Sequence, residues 1–101
     1  MTTVTARKLC AAPYILGRLG LLEGKKAVCY PGFEHDLKGA TVVRDAAVVT
    51  DGLITTGRGA GAALDFGFEL AALLKGDEAA ANLRAGMYAA SVGAAGATIR
   101  V

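Results

Sequence analysis

The stretch Leu9-Cys10-Ala11-Ala12-Pro13 places a cysteine between a predicted strand end and a predicted helix start. A thiol at that position lies against the positive end of the helix dipole, where the thiolate form is favoured. Ala11 and Ala12 have almost no side chain, so the backbone can turn sharply and leave the sulfur exposed, and Pro13 suits the first turn of a helix. The stretch therefore predicts a nucleophile elbow with sulfur in place of oxygen.

Length and composition restrict what surrounds this elbow. The chain has 101 residues, of which 53% are hydrophobic and 20% charged, which is typical of one globular domain. That length is short for an α/β enzyme that covers both faces of a parallel sheet. The net charge of +2 comes from 11 basic and 9 acidic residues scattered along the chain. This pattern gives no support to nucleic-acid binding, and no apolar run approaches the ~20 residues of a membrane helix.

The cysteines give an expectation about the compartment. Cys10 and Cys29 are the two cysteines of the chain, and neither belongs to a CxxC pair of the kind that binds zinc. No basic and then apolar leader indicates export. We therefore expect two reduced thiols in a soluble, cytoplasmic protein, with no metal site and no membrane partner.

The pattern of apolar residues predicts short strands and helices in the first half of the chain. The segment before Leu9 is a poor buried parallel strand, because Arg7 and Lys8 lie in it. A helix is predicted from Ala11 to Gly20, with Ile15, Leu16 and Leu19 toward the core. Strands are predicted at 26–30, 41–43, 46–50 and 53–56, and a short helix at 33–37.

A hairpin is predicted around Asp51-Gly52, a dipeptide typical of tight turns between antiparallel strands. We expect its strands to form a flap or an edge attached to a larger sheet.

Two helices are predicted after the hairpin. The first runs from Ala62 to Lys75 and ends at Gly76, with Asp65 and Glu69 on a solvated face. Asp77 is expected to cap the last helix, which ends near Tyr88. The expected division is a partial domain at 1–88 and a flexible tail at 89–101.

A glycine-rich motif precedes the longer helix. The pattern Gly57-x-Gly59-x-x-Ala62 matches a relaxed dinucleotide fingerprint, and Asp77 follows at about the right distance. In a dinucleotide-binding unit, however, the acidic residue ends a second parallel strand, whereas Asp77 follows Gly76 and starts a helix. We therefore interpret the motif as a tight glycine turn that lets the helix pack closely, with free N–H groups that can bind an anion.

The candidate catalytic residues have alternatives. Cys10 is either a nucleophile or a small buried hydrophobic residue, which is the commoner fate of a free cysteine. Tyr30 follows a predicted strand, where it either faces Cys10 or packs with its hydroxyl in solvent. His35 is the single histidine, and its neighbours Glu34 and Asp36 indicate a solvated surface position.

Taken together, five motifs resemble the DJ-1/PfpI superfamily in order and spacing from about Ala6 to Met87. They are Leu-Cys-Ala-Ala-Pro at 9–13, Gly-Leu-Leu-Glu-Gly-Lys-Lys-Ala at 20–27, Cys-Tyr-Pro-Gly at 29–32, Asp-Gly at 51–52 and Thr-Gly-Arg-Gly-Ala-Gly at 56–61.

The resemblance implies an α/β, flavodoxin-like sandwich that is normally a homodimer, with Cys10 as the elbow cysteine. Members are described as stress-response proteins: cofactor-independent glyoxalases that convert methylglyoxal to lactate, deglycases, chaperones or peptidase-like proteins, and sensors that oxidise the cysteine. The implied catalytic residues are Cys10 and Tyr30. The N–H of Ala11 would stabilise the oxyanion, and the pocket rim would consist of Gly57, Arg58, Gly59 and Gly61.

The sequence also departs from the family pattern. A typical member is about twice as long and has an N-terminal half that supplies a glutamate hydrogen-bonded to the cysteine. Tyr30 stands where many members carry histidine, and Gly59-Ala60-Gly61 lacks the proline of the usual Gly-Pro-Gly loop. We therefore expect the C-terminal half of the sandwich with a small β-hairpin, which forms a homo-oligomer or joins a complementing N-terminal half.

Three functions follow from these expectations. The first is action on small reactive aldehydes without a cofactor. The second is a non-enzymatic redox-sensing or chaperone-like module that uses oxidation of Cys10. The third is a piece of a longer protein with no independent function.

Overall fold

A computed structural model describes residues 6–9, 12–87 and 96–101 of the chain. Its strands are β1 (Ala6–Leu9), β2 (Lys26–Ala27), β3 (Thr41–Val42), β4 (Ala46–Asp51), β5 (Ile54–Gly57) and β6 (Ala97–Arg100). Its helices are α1 (Pro13–Arg18), α2 (Ala63–Lys75) and α3 (Asp77–Gly86), with 3₁₀ turns at Glu34–Asp36 and Ala60–Ala62.

The strands form two sheets. The larger sheet has the order β1-β5-β4-β6, and the smaller one consists of β2 and β3 in parallel. β5 pairs in parallel with β1 and antiparallel with β4, and β6 adds to β4 in parallel. Gly52 has a φ of 64°, which its lack of a Cβ favours, so the predicted Asp51-Gly52 turn is present.

The hairpin occupies the middle of the larger sheet, so the expectation of a flap or an edge is wrong. Every residue of β4 and β5 is buried except Asp51, which is half-buried. The reason is that β1 and β6 pair with the two outer edges of the hairpin. Mostly β-branched and small residues fit such buried positions well.

The C-terminal residues 97–100 also differ from the expectation. They form β6, whose Thr98, Ile99 and Arg100 pair with Val48, Val49 and Thr50 of β4. The prediction of a flexible tail at 89–101 is therefore wrong for residues 97–100. Residues 88–95 lie outside the described part of the chain.

The charged segment before the elbow forms a parallel strand despite its poor pattern. β1 pairs with β5, with Arg7 opposite Thr55 and Lys8 opposite Thr56. Within the described residues β1 is an edge strand, since no strand pairs with its other side. Arg7 is exposed and Lys8 half-buried, so neither charge is removed from water completely.

The predicted strand at 26–30 is shorter than expected. Only Lys26–Ala27 form β2, although Val28 and Cys29 continue into the core and are buried. The N–H of Val28 donates to Oγ1 of Thr56 over 3.0 Å. A side chain of β5 therefore replaces the ladder hydrogen bond that a longer strand would have made.

Helix α1 is short and turns a different face inward. Leu16 and Gly17 are buried, whereas Ile15 and Leu19, both predicted to face the core, are exposed. A Cβ on Gly17 would overlap the backbone carbonyl oxygen of Asp36, so the helix lies directly on the first 3₁₀ turn. This close backbone contact determines which side of α1 faces the core.

Helix α2 has the predicted extent and ends at Gly76, whose φ of 94° favours glycine. The prediction of a solvated acidic face is wrong: Asp65 and Glu69 are buried beside Phe68, while Leu64 and Leu73 are exposed. Glu69 can be buried because strands β4 and β6 supply hydrogen-bond donors for its carboxylate.

Two elements supply these donors. Thr50 Oγ1 donates to Glu69 Oε2 over 2.7 Å. Arg100 donates from Nε over 3.1 Å to Oε2 and from Nη2 over 2.6 Å to Oε1. Such a bidentate, charge-assisted pair keeps the buried carboxylate hydrogen-bonded on both oxygens.

Asp77 does not cap α3 as predicted. It is the first residue of that helix, Gly76 occupies the cap position, and no side chain caps the helix. The carboxylate of Asp77 accepts instead from Arg100 Nη2 over 3.3 Å.

The core consists of three apolar clusters. The main cluster joins α1, β2, the first 3₁₀ turn and β5, with the buried residues Leu16, Leu22, Ala27, Cys29, Leu37 and Ile54. Smaller clusters lie around Val28 and Val49 and around Val48 and Ala62. In the described ranges, no helix has the length and apolar character needed to cross a membrane.

A pair of glycine-to-alanine substitutions tests the packing of α1. We expect Gly17→Ala to lower the free energy of unfolding by about 1–3 kcal/mol, because the added methyl group meets the Asp36 backbone. Gly67→Ala is the matched control, since Gly67 lies inside α2 with open space around it, and alanine there should stabilise by up to ~1 kcal/mol. Urea unfolding of both variants measures the difference. Equal effects would contradict the close contact.

Candidate functional site

The carboxyl ends of β1 and β5 lie at the same edge of the larger sheet. The two strands are parallel, and Leu9 at the end of β1 pairs with Gly57 at the end of β5. Clefts at the carboxyl ends of parallel strands are the usual binding sites of α/β proteins. Cys10 and Ala11, the predicted nucleophile and oxyanion donor, follow Leu9 in the chain and lie outside the described residues.

A cavity of about 340 Å³ lies beside this edge. Its lining residues are Tyr30 and Pro31 on one side and Arg58, Gly59, Ala60, Gly61 and Ala62 on the other. The structure thus brings together four of the predicted site residues. Gly57 is not among the lining residues, because it is buried in the ladder between Leu9 and Val48.

Tyr30 forms one wall of the cavity. Its residue is 52% exposed, and its ring packs edge-on against Phe33 with the centroids 6.4 Å apart. A Cβ built on Gly59 would lie 3.5 Å from Cδ2 of Tyr30, so the ring borders the glycine loop. The phenol hydroxyl can donate or accept a hydrogen bond to a molecule in the cavity.

The glycine loop is more permissive than predicted. Gly59 has an extended backbone with a φ of 179°, which any residue adopts, and a Cβ on Gly61 would meet open space. The interpretation as a tight glycine turn required for helix packing is therefore wrong for these two positions. At Gly59 the missing side chain instead leaves room beside Tyr30.

Asp77 starts a helix and does not end a second strand, so the placement predicted from the sequence, which argues against a dinucleotide-binding site, is confirmed. Over the described residues 63–86, α2 is followed directly by α3, with no strand between them to present Asp77 to a ribose.

Arg58 is the charged residue of this cavity. It is half-buried, and its backbone N–H donates to the carbonyl oxygen of Ala47 over 2.8 Å, which anchors the residue after β5. Arg58 also lines a second cavity of about 230 Å³. Among the residues that the structure describes, no carboxylate forms an ion pair with Arg58.

The second cavity contains Cys29. Burial raises the pKa of the Cys29 thiol, and the negative charge of Glu34 raises it further, against a smaller opposing effect of Arg44. Glu34 stays ionised because backbone N–H groups, its own and that of Gly32, lower its pKa together with Arg44. Cys29 is therefore protonated at neutral pH and is a poor nucleophile.

His35 lies on the surface, as predicted. Its side chain is 77% exposed, and Nε2 is 3.4 Å from Oδ2 of Asp36. In the described ranges, no three His, Cys, Asp or Glu side chains are grouped closely enough to hold a metal ion.

The sequence analysis missed some residues of the two cavities. Pro31 lines both, and Ala60 and Ala62 line the larger one. Pro31 could have been predicted as a lining residue, because it directly follows Tyr30 in the sequence. The contact between Arg44 and Glu34, 3.1 Å from Nη1 to Oε2, had no signal in the sequence.

Comparison with known proteins identifies the family. The model of the DJ-1/PfpI family matches residues 3–73, and the chain belongs to that family. It is 41% identical over 76 residues to protein DJ-1 homolog B of Arabidopsis thaliana and 41% identical over 75 residues to an isonitrile hydratase of Pseudomonas putida. The crystal structure of Drosophila melanogaster DJ-1beta superposes with a TM-score of 0.77 at 33% identity. The fold is therefore the flavodoxin-like α/β fold of these proteins.

The matches cover most of this chain but a minor part of each relative. They cover 74% of this chain and 17% of the Arabidopsis protein, and 71% of this chain and 32% of the hydratase. The superposition covers 83% of this chain and 46% of the Drosophila chain. The chain thus spans less than half the length of these relatives.

The rate of alkylation of Cys29 tests whether burial and the charge of Glu34 lower the reactivity of its thiol. In a Cys10→Ser variant Cys29 is the remaining thiol, and we expect iodoacetamide at pH 7.5 to react at least ~10-fold more slowly with the folded chain than with the same chain in urea. The rate should keep rising as the pH passes 9, because the raised pKa delays formation of the thiolate. Equal folded and unfolded rates, measured by intact mass, would contradict the assignment.

Proposed function

We propose that this chain carries the nucleophilic half of a DJ-1/PfpI-type cysteine enzyme that acts on small reactive aldehydes such as methylglyoxal. Cys10 is the nucleophile in this proposal. The observation that carries it is the register of β1 and β5, since Leu9 pairs with Gly57. Cys10 follows Leu9 in the sequence and Arg58 follows Gly57, so the strands that lead to these two residues end at the edge where the cavity lies.

The cavity supports a small substrate. A volume of about 340 Å³ is at the lower end of the range for ligand pockets, and Tyr30, Pro31 and the glycine loop make its walls mostly apolar. Cys29 does not compete as a nucleophile, because its thiol is buried and its pKa is raised.

The proposed reaction begins with addition of the Cys10 thiolate to the aldehyde carbon. The C–S bond forms, the carbonyl π pair moves to oxygen, and that oxygen takes a proton to give a hemithioacetal. A base then takes the proton from the former aldehyde carbon to give an enediolate, the hydroxyl proton passes to the neighbouring keto oxygen, and the base returns its proton to the former keto carbon, which leaves a thioester of lactate. The first carbon is thereby oxidised and the second reduced within the same molecule.

Hydrolysis of the resulting thioester by water releases lactate and the thiol. The sum is methylglyoxal and water giving lactate and a proton, with no external oxidant or cofactor. In this scheme the N–H of Ala11 donates to the developing oxyanion, and Tyr30 donates a hydrogen bond as a weak acid at the cavity wall. In this proposal the base that accepts the carbon-bound proton is the glutamate that the family resemblance implies in the other half of the sandwich.

The described surface of this chain has an unpaired strand edge and exposed leucines, which a partner such as the other half of the sandwich would cover. Within the described residues the outer edge of β1 has no partner strand, and the apolar side chains Leu53, Leu64 and Leu73 are exposed. Unpaired strand edges and exposed apolar surface favour association. We propose that a second copy or a complementing N-terminal half covers this surface, and a compact monomer in sedimentation velocity would contradict that.

The same surface supports the alternative function, a redox-sensing or chaperone-like module. Exposed leucines offer contacts to unfolded chains of other proteins, and in this alternative oxidation of Cys10 is the redox signal. This alternative needs no base from another segment and no turnover.

Formation of lactate from methylglyoxal tests the enzyme proposal. With a complementing N-terminal half present to supply the base, we expect the chain and its Cys29→Ser variant to make lactate at similar rates, and Cys10→Ser to lose at least ~100-fold, because the nucleophile is gone. Lactate is measured by an enzyme-coupled assay, with the Cys29→Ser variant as the matched control.

Two outcomes separate the functions. Equal rates for the chain and Cys10→Ser would overturn the nucleophilic mechanism. Absence of lactate together with addition of oxygen at Cys10 by peroxide, seen by intact mass, would favour the redox module.

A further inference from the structure

We propose that the substrate of this site carries a carboxylate in addition to its 2-oxoaldehyde group, at the end of the molecule away from the aldehyde, and that Arg58 binds this carboxylate. The inference rests on the proposed function, because it assigns the second chemical group of the molecule that Cys10 attacks. The cavity and the arginine that carry it belong to the described residues.

Arg58 is half-buried, and among the described residues it forms no ion pair with a carboxylate. Among the described residues Arg18, Arg44 and Arg100 each pair with a carboxylate. Arg84 lies over the ring of Phe68, 5.0 Å from its centroid. Arg58 is half-buried without such a partner among the described residues, so an anion that enters the cavity gives its guanidinium an oppositely charged hydrogen-bond acceptor.

The position of Arg58 suits recognition of a ligand. The residue directly follows the buried strand β5, and its backbone is held by the hydrogen bond to Ala47. Arg58 lines both cavities, so its long side chain can reach a molecule that lies beside Tyr30. A fixed backbone lowers the entropy that binding must remove.

The charge of the surroundings favours a carboxylate over a phosphate dianion. Arg44, the other arginine of the second cavity, is already paired with Glu34. One free guanidinium matches a single negative charge, and its two parallel N–H groups fit the two oxygens of a carboxylate. The remaining wall of the larger cavity is largely apolar, with Pro31, Ala60 and Ala62.

The chemistry of the attack is unchanged by the carboxylate. The thiolate forms the C–S bond at the aldehyde carbon, the carbonyl π pair becomes an alkoxide, and the alkoxide takes a proton from water. Arg58 holds the substrate by its far end and orients the aldehyde toward the thiol.

Two alkylating reagents test the inference without requiring turnover. Iodoacetate carries a carboxylate and iodoacetamide is neutral, yet both form the same kind of C–S bond with a thiolate and release iodide. In a Cys29→Ser background all label is on Cys10. The ratio of the iodoacetate rate to the iodoacetamide rate cancels the thiolate fraction and reports only the preference for the anionic reagent.

We expect this ratio to fall about 5–10-fold in Arg58→Gln, to recover partly in Arg58→Lys, and to stay unchanged in Arg44→Gln. The preference should also weaken in 0.5 M NaCl, because salt screens the attraction. Circular dichroism shows which variants fold. If Arg58→Gln does not fold, the comparison is made with Arg58→Lys alone.

An equal ratio in the parent chain and the folded Arg58 variants would overturn the inference. The proposed function fails by a different result, lactate formation that survives Cys10→Ser. The two failures are therefore distinguishable.

Discussion

The parallel pairing of β1 with β5 is the constraint on which the candidate site depends. It joins the segment that leads to Cys10 to the segment that leads to Arg58, with Leu9 opposite Gly57. Because parallel strands run in the same direction, both segments end at one edge of the sheet. The ladder is buried at β5, where all four residues are inaccessible, so a slip of register is costly.

A second constraint keeps the helical layer in place. Glu69 of α2 is buried, and it is hydrogen-bonded to Thr50 of β4 and to Arg100 of β6, which also contacts Asp77 of α3. A buried carboxylate is tolerated only when its oxygens are satisfied, so the network ties the last strand to both helices. Thr50 belongs to the same central hairpin that supports β1, which couples the helical layer to the site.

Local patterns predicted the local structure well. The Asp51-Gly52 turn, the extent of α2 and its end at Gly76 follow from residue chemistry within a few positions, and the ordered motifs identified the family. Sequence reasoning failed where distant partners decide. Glu69 looked solvated because Arg100 lies far along the chain, and the hairpin looked peripheral because β6 was expected to be a tail. Of the candidate site, Tyr30, Arg58, Gly59 and Gly61 meet in one cavity, but the unpaired state of Arg58 was visible only in three dimensions.

The pKa of the Cys10 thiol tests the central claim most directly, that the end of β1 carries an activated nucleophile. Thiolate absorbance at 240 nm, followed against pH in the Cys29→Ser variant and corrected with the Cys10→Ser,Cys29→Ser chain, reports this thiol alone. A thiol that is activated because it precedes a helix should have a pKa below the ordinary value of about 8.5. A pKa at or above that value would contradict the account.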